Sequence, residues 1–546
     1  MSRMHLRLSL PPRSDSSDKD TLTRPAELER WVARLPMLNV GETTLLLSRQ
    51  LAGLNRMALE DKPRLRLLEA LRPPVQHVSR ELAKGYVGLP LPLPDKARMV
   101  AAQVRQLATE MAFGYKLIAV NSTATGLAQV DRAVLGTALH RAIRYLTELL
   151  FRSYELYSPP PEGTWLEIHQ LYRYSELLGI TDTPLEDPLN GTLKQVGIGH
   201  AYKQALLLDF ADPYHLPARL LARVYRYLDR FAALAALTPG VAALKAQCQF
   251  LINLDDDRAG GVNTETTDIT TEGHYRLLTT TELARVIHQQ LRALRSGRQP
   301  DPEGLEADFY AQLGADMLAR LIQAWGLNPK RVFTRSLREN RKTEVAFGIE
   351  AINFFSNNGE PFQPSTSEVG PQPRGAALGT RAGQANGVRI AGHAGSSAWD
   401  LIDESAGGYA LTRSGIDGEA VRVGDLLASR PGTNRGPWEI GVVRWVRMAD
   451  GDTSLELGVQ RLSPVAAPAA ILTVEGDSGK LIPALALAEV AAMKQPATVI
   501  VPRGIFKPER VLNLDDGYRS RRIRAQRLVE YSGAFERFEF EVMENQ

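Results

Sequence analysis

The chain has 546 residues, of which 44% are hydrophobic and 23% charged, and a formal net charge of +3. This length exceeds one hydrophobic core, so about two to four domains are expected. The near-neutral charge gives no support for general binding to nucleic acid or membrane surfaces. A single cysteine, Cys248, excludes an internal disulfide and a cysteine-based zinc site. Its apolar neighbours predict a buried, unreactive thiol.

Residues 1–22 are rich in Ser, Asp and Pro, a composition typical of a disordered tail. They lack the continuous apolar region of a signal peptide. No apolar run in the chain approaches the roughly 20 residues needed to span a bilayer. We therefore predict a cytoplasmic protein with no membrane span.

Residues 23–240 show the periodicity of an all-α helical array. Apolar residues recur at steps of four, three and four from Val100 onward, within residues 95–120. Further helices are predicted at 131–157, 166–178, 194–209 and 217–237. Breaks with Pro or Gly separate them, which indicates antiparallel neighbours. An irregular bundle and a helical-repeat scaffold both fit this pattern, and no fixed repeat period favours the scaffold.

Residues 241–330 predict a small α+β connecting region. A strand in CQFLINL precedes three aspartates at 255–257 and a Gly- and Thr-rich loop, and helices are predicted at 281–294 and 302–325. The three aspartates are either a cation site or a solvated turn. We favour the turn and predict no metal site, because no regular spacing of oxygen ligands follows them.

The C-terminal part alternates apolar and polar residues, as strands do. We predict a strand at 344–355, a flexible insertion at 356–397 that is rich in Gly, Pro, Ser and Gln, and strands in WDLID, GYALTR, WEIGVVRWV and SLELGVQRL. Residues 469–546 predict an additional β element. It contains the basic tract YRSRRIRAQR (518–527), in which Ile523 and Ala525 alternate with arginines. This alternation favours a strand with a solvated basic face over a nucleic-acid site.

The stretch LIDESAGGYAL carries the most specific motif. Asp403, Ser405 and Gly408 fit the signature Asp-x-Ser-x-x-Gly between apolar flanks, and Arg331 and Arg335 upstream form an Arg-x-x-x-Arg pair. With the strand order that follows, residues 331–468 resemble a PilZ domain, a small β-barrel that binds the bacterial second messenger cyclic di-GMP. The predicted fold class is therefore multidomain α+β, with an N-terminal all-α array and a C-terminal antiparallel PilZ-like barrel.

The resemblance implies a ligand role for each motif residue. Asp403 would accept hydrogen bonds from a guanine edge, Ser405 would reach a guanine or phosphate oxygen, and Gly408 would permit a close approach that a Cβ blocks. Arginines would pair with phosphate and stack on guanine. Arg338 and Arg341 continue the basic segment after Arg335, so the choice among the arginines stays open. The segment is either a helix that presents all four arginines on one face or an extended tether.

Three functional classes are to be compared. We predict no enzyme, because the nine histidines are scattered and the sequence has no HExxH, GxSxG, Walker or dinucleotide fingerprint. The favoured function is a cyclic di-GMP receptor with no cofactor, which relays ligand binding through its helical region to a protein partner. The alternative is a degenerate PilZ scaffold that binds proteins but no nucleotide.

Overall fold

The computed structural model describes residues 6–12, 20–125, 130–240, 247–262, 273–302, 304–326, 336–365, 395–415, 419–432, 436–449, 453–473, 481–489 and 496–543. For residues 124, 125, 262, 337–340 and 473 it describes the backbone alone. Two compact units divide the chain, one of residues 1–89 and 93–330 and the other of residues 90–92 and 331–546. Among the described residues, no helix combines the length and the apolar character required to cross a membrane.

The first unit is mainly helical. Its α-helices are α1 (Pro25–Val32), α2 (Val40–Arg56), α3 (Asp61–Ala83), α4 (Asp95–Thr125), α5 (Arg132–Glu155), α6 (Thr164–Leu177), α7 (Ile198–Phe210), α8 (Ala218–Phe231), α9 (Thr281–Arg295), α10 (Ala307–Leu313) and α11 (Ala315–Gly326). Short 3-10 helices occur at Pro213–His215 and Ala232–Leu234. Two of the helices begin at a residue whose side chain satisfies free backbone N–H groups: Asn39 accepts from Glu42 at the start of α2, and Asp131 accepts from Ala133 and Val134 at the start of α5.

The predicted connecting region shares the core of the helical array. The first unit has six short strands, β1 (Leu185–Glu186), β2 (Gln195–Val196), β3 (Ala236–Pro239), β4 (Gln249–Asn253), β5 (Gly261–Val262) and β6 (Tyr275–Thr279). The last four form one sheet in the order β3-β6-β4-β5, and β4, β5 and β6 lie in the connecting region. Phe250 of β4 and Trp325 of α11 belong to the same buried cluster as Leu28 of α1. Residues 20–326 therefore contain one continuous core.

The helix predicted at 302–325 is two helices, so that prediction was wrong. Gly314 follows α10 with φ of +82°, a left-handed conformation that an L side chain rarely adopts. The chain turns there and α11 begins at Ala315. An apolar pattern that continues across a glycine does not reveal such a break, because both short helices bury apolar faces in the same core.

Residues 6–12 fall within the predicted disordered tail, yet their backbone pairs with α6. Arg7 N–H donates to Gln170 Oε1 at 2.7 Å, and Gln170 Nε2 donates to Arg7 O at 3.1 Å. Leu6 and Leu8 pack against the core of the first unit. The composition of residues 1–22 did not indicate this contact.

The aspartates at 255–257 serve the local fold. Asp257 Oδ2 accepts from Gly163 N–H at 2.6 Å and Asp257 Oδ1 from Leu166 N–H at 3.1 Å, so this carboxylate caps the start of α6. Asp255 Oδ2 accepts from His274 N–H at 3.1 Å. These partners account for two of the three carboxylates and fit the turn that we favoured.

The second unit contains two closed antiparallel barrels of six strands each. The first barrel, in the order β10-β11-β12-β9-β8-β7, comprises β7 (Ser336–Phe347), β8 (Ser397–Ser405), β9 (Gly408–Ser414), β10 (Leu426–Pro431), β11 (Glu439–Ala449) and β12 (Ser454–Ser463). The second barrel, in the order β13-β14-β15-β18-β17-β16, comprises β13 (Ala467–Thr473), β14 (Leu481–Leu487), β15 (Thr498–Pro502), β16 (Val511–Asp515), β17 (Ser520–Tyr531) and β18 (Phe535–Val542). The predicted additional β element is thus a complete barrel.

Helix α12 (Ile349–Ser356) packs between the two barrels. Ile352 lies in a buried cluster with Ile440 of the first barrel and Leu485 of the second. Asn353 Nδ2 donates to Ala469 O and Ala484 O, both at 2.8 Å. Helix α12 therefore joins the two barrels through one shared buried cluster, and the second barrel has a further cluster of its own that includes Ile471 and Phe538.

The strand predicted at 344–355 was wrong at both ends. β7 begins eight residues earlier, at Ser336, and ends at Phe347. Gly348, with φ of +84°, then starts α12. A short apolar run such as IEAINFF does not distinguish a strand from a buried helix, which explains the error. Residues 366–394, most of the predicted insertion, lie outside the described residues.

The basic tract of the second barrel is a strand, as predicted. Ile523 and Ala525 of β17 are fully buried, whereas four of the five arginines of the tract pair with carboxylates. Arg521 Nη2 lies 2.6 Å from Asp516 Oδ2, and Arg527 pairs with Glu539. The neighbouring carboxylates neutralise much of this basic face.

The Asp209 carboxyl in the last turn of α7 should make the stability of the first unit depend on pH. Burial and the nearby Asp212 raise its pKa to about 6, against the opposing hydrogen bond from Tyr154. The folded state therefore holds this proton more tightly than the unfolded chain. The stabilisation is complete below about pH 4 and is lost as the pH rises through about 6.

Asp209→Asn should accordingly stabilise the first unit at pH 7 by about 1–2 kcal/mol. This is less than the full value of the pKa shift, because the side chain is partly exposed. Urea denaturation at pH 4.5 and pH 7, followed by circular dichroism, measures the difference between variant and wild type. A difference that is the same at both pH values would contradict the assignment.

Candidate functional site

The motif residues lie on the β8–β9 hairpin of the first barrel. Asp403 pairs with Ala410 across the hairpin, and Ser405 pairs with Gly408 at its tip. Ser405 Oγ donates to Gly408 O at 3.1 Å, which closes the four-residue turn from within. Alternating apolar residues such as Leu401 and Leu411 are buried and hold the two strands in the barrel wall. The sequence therefore folds locally into a short hairpin that presents the motif at one end.

Gly408 is required by a close approach between strands. A Cβ at this position would lie 2.1 Å from Val459 O and 3.2 Å from Val459 C of β12. No side chain fits there unless the hairpin moves away from β12. The close contact predicted at Gly408 is therefore a contact with the protein's own backbone, that of β12.

The basic segment enters the barrel directly beside the motif. In the β7–β8 register, Ser336 pairs with Glu404 and Leu337 with Asp403. Arg341 pairs with Leu401, after an irregularity between Leu337 and Arg341. Pairing in the sheet therefore joins two segments that are at least 60 positions apart in the sequence.

The structure describes the four predicted arginines to different degrees. Arg331 and Arg335 lie outside the described residues, and for Arg338 only the backbone in β7 is described. Arg341 is exposed, with Nη1 3.9 Å from Glu404 Oε1. Because β7 begins at Ser336, Arg335 immediately precedes the first strand. Residues 336–347 are extended, which rules out the single helix considered for the whole basic segment.

Arg461 of β12 contacts the motif turn, although no motif indicated it. Its backbone N–H donates to Gly407 O at 3.1 Å, and its Nη1 donates to Ser405 O. The guanidinium also pairs with Glu439 of β11 and lies 3.7 Å from Glu404 Oε2. The guanidinium carbon is 5.2 Å from the centre of the Tyr409 ring.

Opposite charges alternate around the turn. Burial raises the pKa of Glu439, and the Arg461 guanidinium acts in the opposite direction. Arg341 and Arg461 flank Glu404. The arrangement provides carboxylates for base N–H donors and guanidinium groups for phosphate oxygens. Among the described residues, no cluster of His, Cys, Asp and Glu has the arrangement to hold a metal ion.

Family models match almost the whole chain. Residues 26–242 match "Cyclic-di-GMP receptor FimW, N-terminal domain", residues 249–386 and 391–468 match "Cyclic-di-GMP receptor FimW, middle PilZ domain", and residues 468–543 match "FimW C-terminal beta-barrel domain". The chain is thus similar to the FimW receptors in each of three successive domains. It is similar to the cyclic-di-GMP receptor FimW of Pseudomonas aeruginosa, with 27% identity across 98% of this chain and 93% of that protein. No solved structure matches the chain.

The FimW match confirms the PilZ resemblance and the helical region before it. The match to the middle PilZ domain includes Asp403, Ser405 and Gly408, and also the basic segment 331–341. That match begins at residue 249, whereas residues 249–330 belong to the first compact unit of this structure. The family's middle domain thus includes a segment that shares the core of the helical array.

Proposed function

We propose that this chain is a cyclic di-GMP receptor with no catalytic activity. The observation that carries the proposal is the β7–β8 pairing, in which the basic segment runs beside the strand of Asp403. The named relative, FimW of Pseudomonas aeruginosa, is a receptor for the same nucleotide. Two observations thus support the proposed function: the geometry of the barrel and the similarity to FimW.

The chemistry of each residue suits this ligand. Cyclic di-GMP carries two phosphates and two guanines. The Asp403 carboxylate accepts from the N1–H and N2–H₂ donors of one guanine, and the Ser405 turn contacts a base or phosphate oxygen. Arg331, Arg335, Arg338 and Arg341 supply guanidinium groups that pair with phosphate and stack on guanine. Gly408 keeps the turn against β12.

In this proposal, the first unit transmits the effect of nucleotide binding to a protein partner. Capture of the nucleotide by the basic segment and the Asp403 hairpin is a change that can bias a second surface of the same protein. The large, single core of the helical unit gives it the rigidity to present such a surface.

Isothermal titration of the full chain with cyclic di-GMP tests the receptor function. We expect binding by the wild type and a loss of about 10-fold or more in Arg335→Ala and in Arg338→Ala, because each removes charge-assisted hydrogen bonds. Arg447→Ala is the matched control, since Arg447 is exposed on β11 of the same barrel. Absence of heat at high micromolar nucleotide, with the protein folded, would leave the scaffold function instead.

A further inference from the structure

The first unit contains a cavity of about 660 Å³ between helices α3, α5 and α8. A cavity of this size accommodates a small organic ligand. Seven cationic side chains line it, against three acidic ones. The cations are Arg72, Arg80, Lys84, Arg144, Arg152, Arg219 and Arg226. The cavity belongs to a different unit from the candidate site, so it is a separate feature of the protein.

The inner cations are balanced by carboxylates. Arg152 pairs with Glu148 at 2.6 Å and with Glu155 at 2.7 Å. Arg144 Nη1 lies 2.9 Å from Asp229 Oδ1. These pairs include all three acidic residues that line the cavity. Each acidic side chain in the lining therefore has an arginine partner, with Arg152 shared between Glu148 and Glu155, and the lining as a whole remains cationic.

The outer cations carry the excess positive charge. Arg80, Lys84, Arg219 and Arg226 are all exposed. Lys84 pairs with Glu81, and Arg226 lies 3.5 Å from Glu306. Within the described part of the chain, Arg80 and Arg219 have no carboxylate within 4.0 Å. Two guanidinium groups at the cavity thus have no acidic partner among the described residues. Arg219 lies close to the backbone of Gly88, where a Cβ would meet its Nε at 2.9 Å.

Aromatic rings form another part of the lining. The Phe151 and Tyr225 rings stack with their centres 4.8 Å apart, and the Arg144 guanidinium lies 5.5 Å from the centre of the Tyr225 ring. Tyr145 lines the cavity as well. Phe151 is buried, whereas Tyr225 is partly exposed. A planar ring that enters the cavity would therefore meet an aromatic surface as well as guanidinium groups.

We propose that this cavity binds a small phosphorylated ligand that carries a planar ring, the chemistry of a nucleotide. Arg80 and Arg219 pair with its phosphates, because guanidinium forms two parallel hydrogen bonds to phosphate oxygens. Tyr225 contacts the ring. A small ligand fits better than an acidic peptide, because Arg72, Arg152 and Glu155 line the cavity as buried residues and give it a closed inner end.

Calorimetric titration of the full chain with ATP and with tripolyphosphate tests this proposal. We expect both to bind, and Arg80→Glu/Arg219→Glu to weaken both by about 10-fold or more. Tyr225→Leu should weaken ATP binding and leave tripolyphosphate binding unchanged. Arg34→Glu/Arg49→Glu is the matched control, with the same change of charge at exposed positions of the same unit, and should change either affinity by less than about twofold.

The following outcomes distinguish binding in this cavity from binding at the barrel. Asp403→Asn should leave ATP binding unchanged, so loss of ATP binding in that variant would overturn the proposal. Absence of ATP binding at millimolar concentration, or equal losses in the control double variant, would overturn it too. Tighter binding of a hexaglutamate peptide than of ATP would contradict the ligand class. If thermal melting shows that the double glutamate variant is misfolded, Arg80→Gln/Arg219→Gln replaces it with the same expected direction.

Discussion

Asp403→Asn should weaken the binding of cyclic di-GMP by about 10- to 100-fold, or about 1.5–3 kcal/mol. Asparagine keeps the size of the side chain, but it replaces a carboxylate oxygen by an N–H₂ donor that faces the donors of guanine. Asp403 lies near the C-terminal end of β8 and is paired with Leu337 on one side and Ala410 on the other, so its backbone position should not change. Isothermal titration of variant and wild type measures the effect.

Glu456→Gln is the matched control for this substitution. Glu456 is a partly exposed residue on β12 of the same barrel, and the substitution removes the same charge. The affinity of this variant for cyclic di-GMP should stay within about twofold of the wild-type value. Equal losses in both variants would show that the nucleotide responds only to the overall charge of the barrel. If Asp403→Asn loses affinity for cyclic di-GMP but neither Arg335→Ala nor Arg338→Ala does, other residues form the cationic half of the site.

Gly408→Val should destabilise the second unit by about 3 kcal/mol, since a Cβ would meet Val459 O at 2.1 Å. The β9–β12 pairing cannot shift without loss of its register, because Tyr409 and Leu411 are buried on the same hairpin. Cyclic di-GMP binding should fall together with stability. Urea denaturation, with cyclic di-GMP titration below the transition, measures both effects.

Gly533→Ala is the control for the loss of stability expected in Gly408→Val. Gly533 lies between β17 and β18 with open space around its Cβ position, so alanine should change stability by less than about 0.5 kcal/mol. Wild-type stability in Gly408→Val would show that the hairpin can move away from β12. Retained stability with lost nucleotide binding would instead assign Gly408 to ligand contact alone.

Local patterns were sufficient to predict the hairpin that carries the motif. WDLID alternates buried and partly exposed residues as a half-buried strand does, GYALTR buries three successive residues, and the small residues between them suit a tight turn. The PilZ resemblance rested on these strands. It identified the barrel correctly even though residues 366–394 separate the two halves of the motif.

Local patterns failed where pairing with distant strands decides the structure. SLRENRK shows little strand character by itself, yet it is the first half of β7, because β8 supplies hydrogen-bond partners for its backbone. Conversely, IEAINFF looks like a strand and forms α12, because Gly348 ends β7 and both barrels offer apolar surface to Ile349 and Ile352. Propensity is a weak preference that tertiary contacts override.

The sequence by itself determined the helical array, the strand-rich C-terminal part and the motif Asp403–Ser405–Gly408, because these depend on spacing within a few residues. Only the tertiary structure decided that the basic segment lies beside Asp403 and that Arg461 holds the turn. Arg461 is 56 positions from Ser405, and its contact arises because β12 pairs with β9. Register between distant strands is set by burial of the whole barrel, which no local pattern contains.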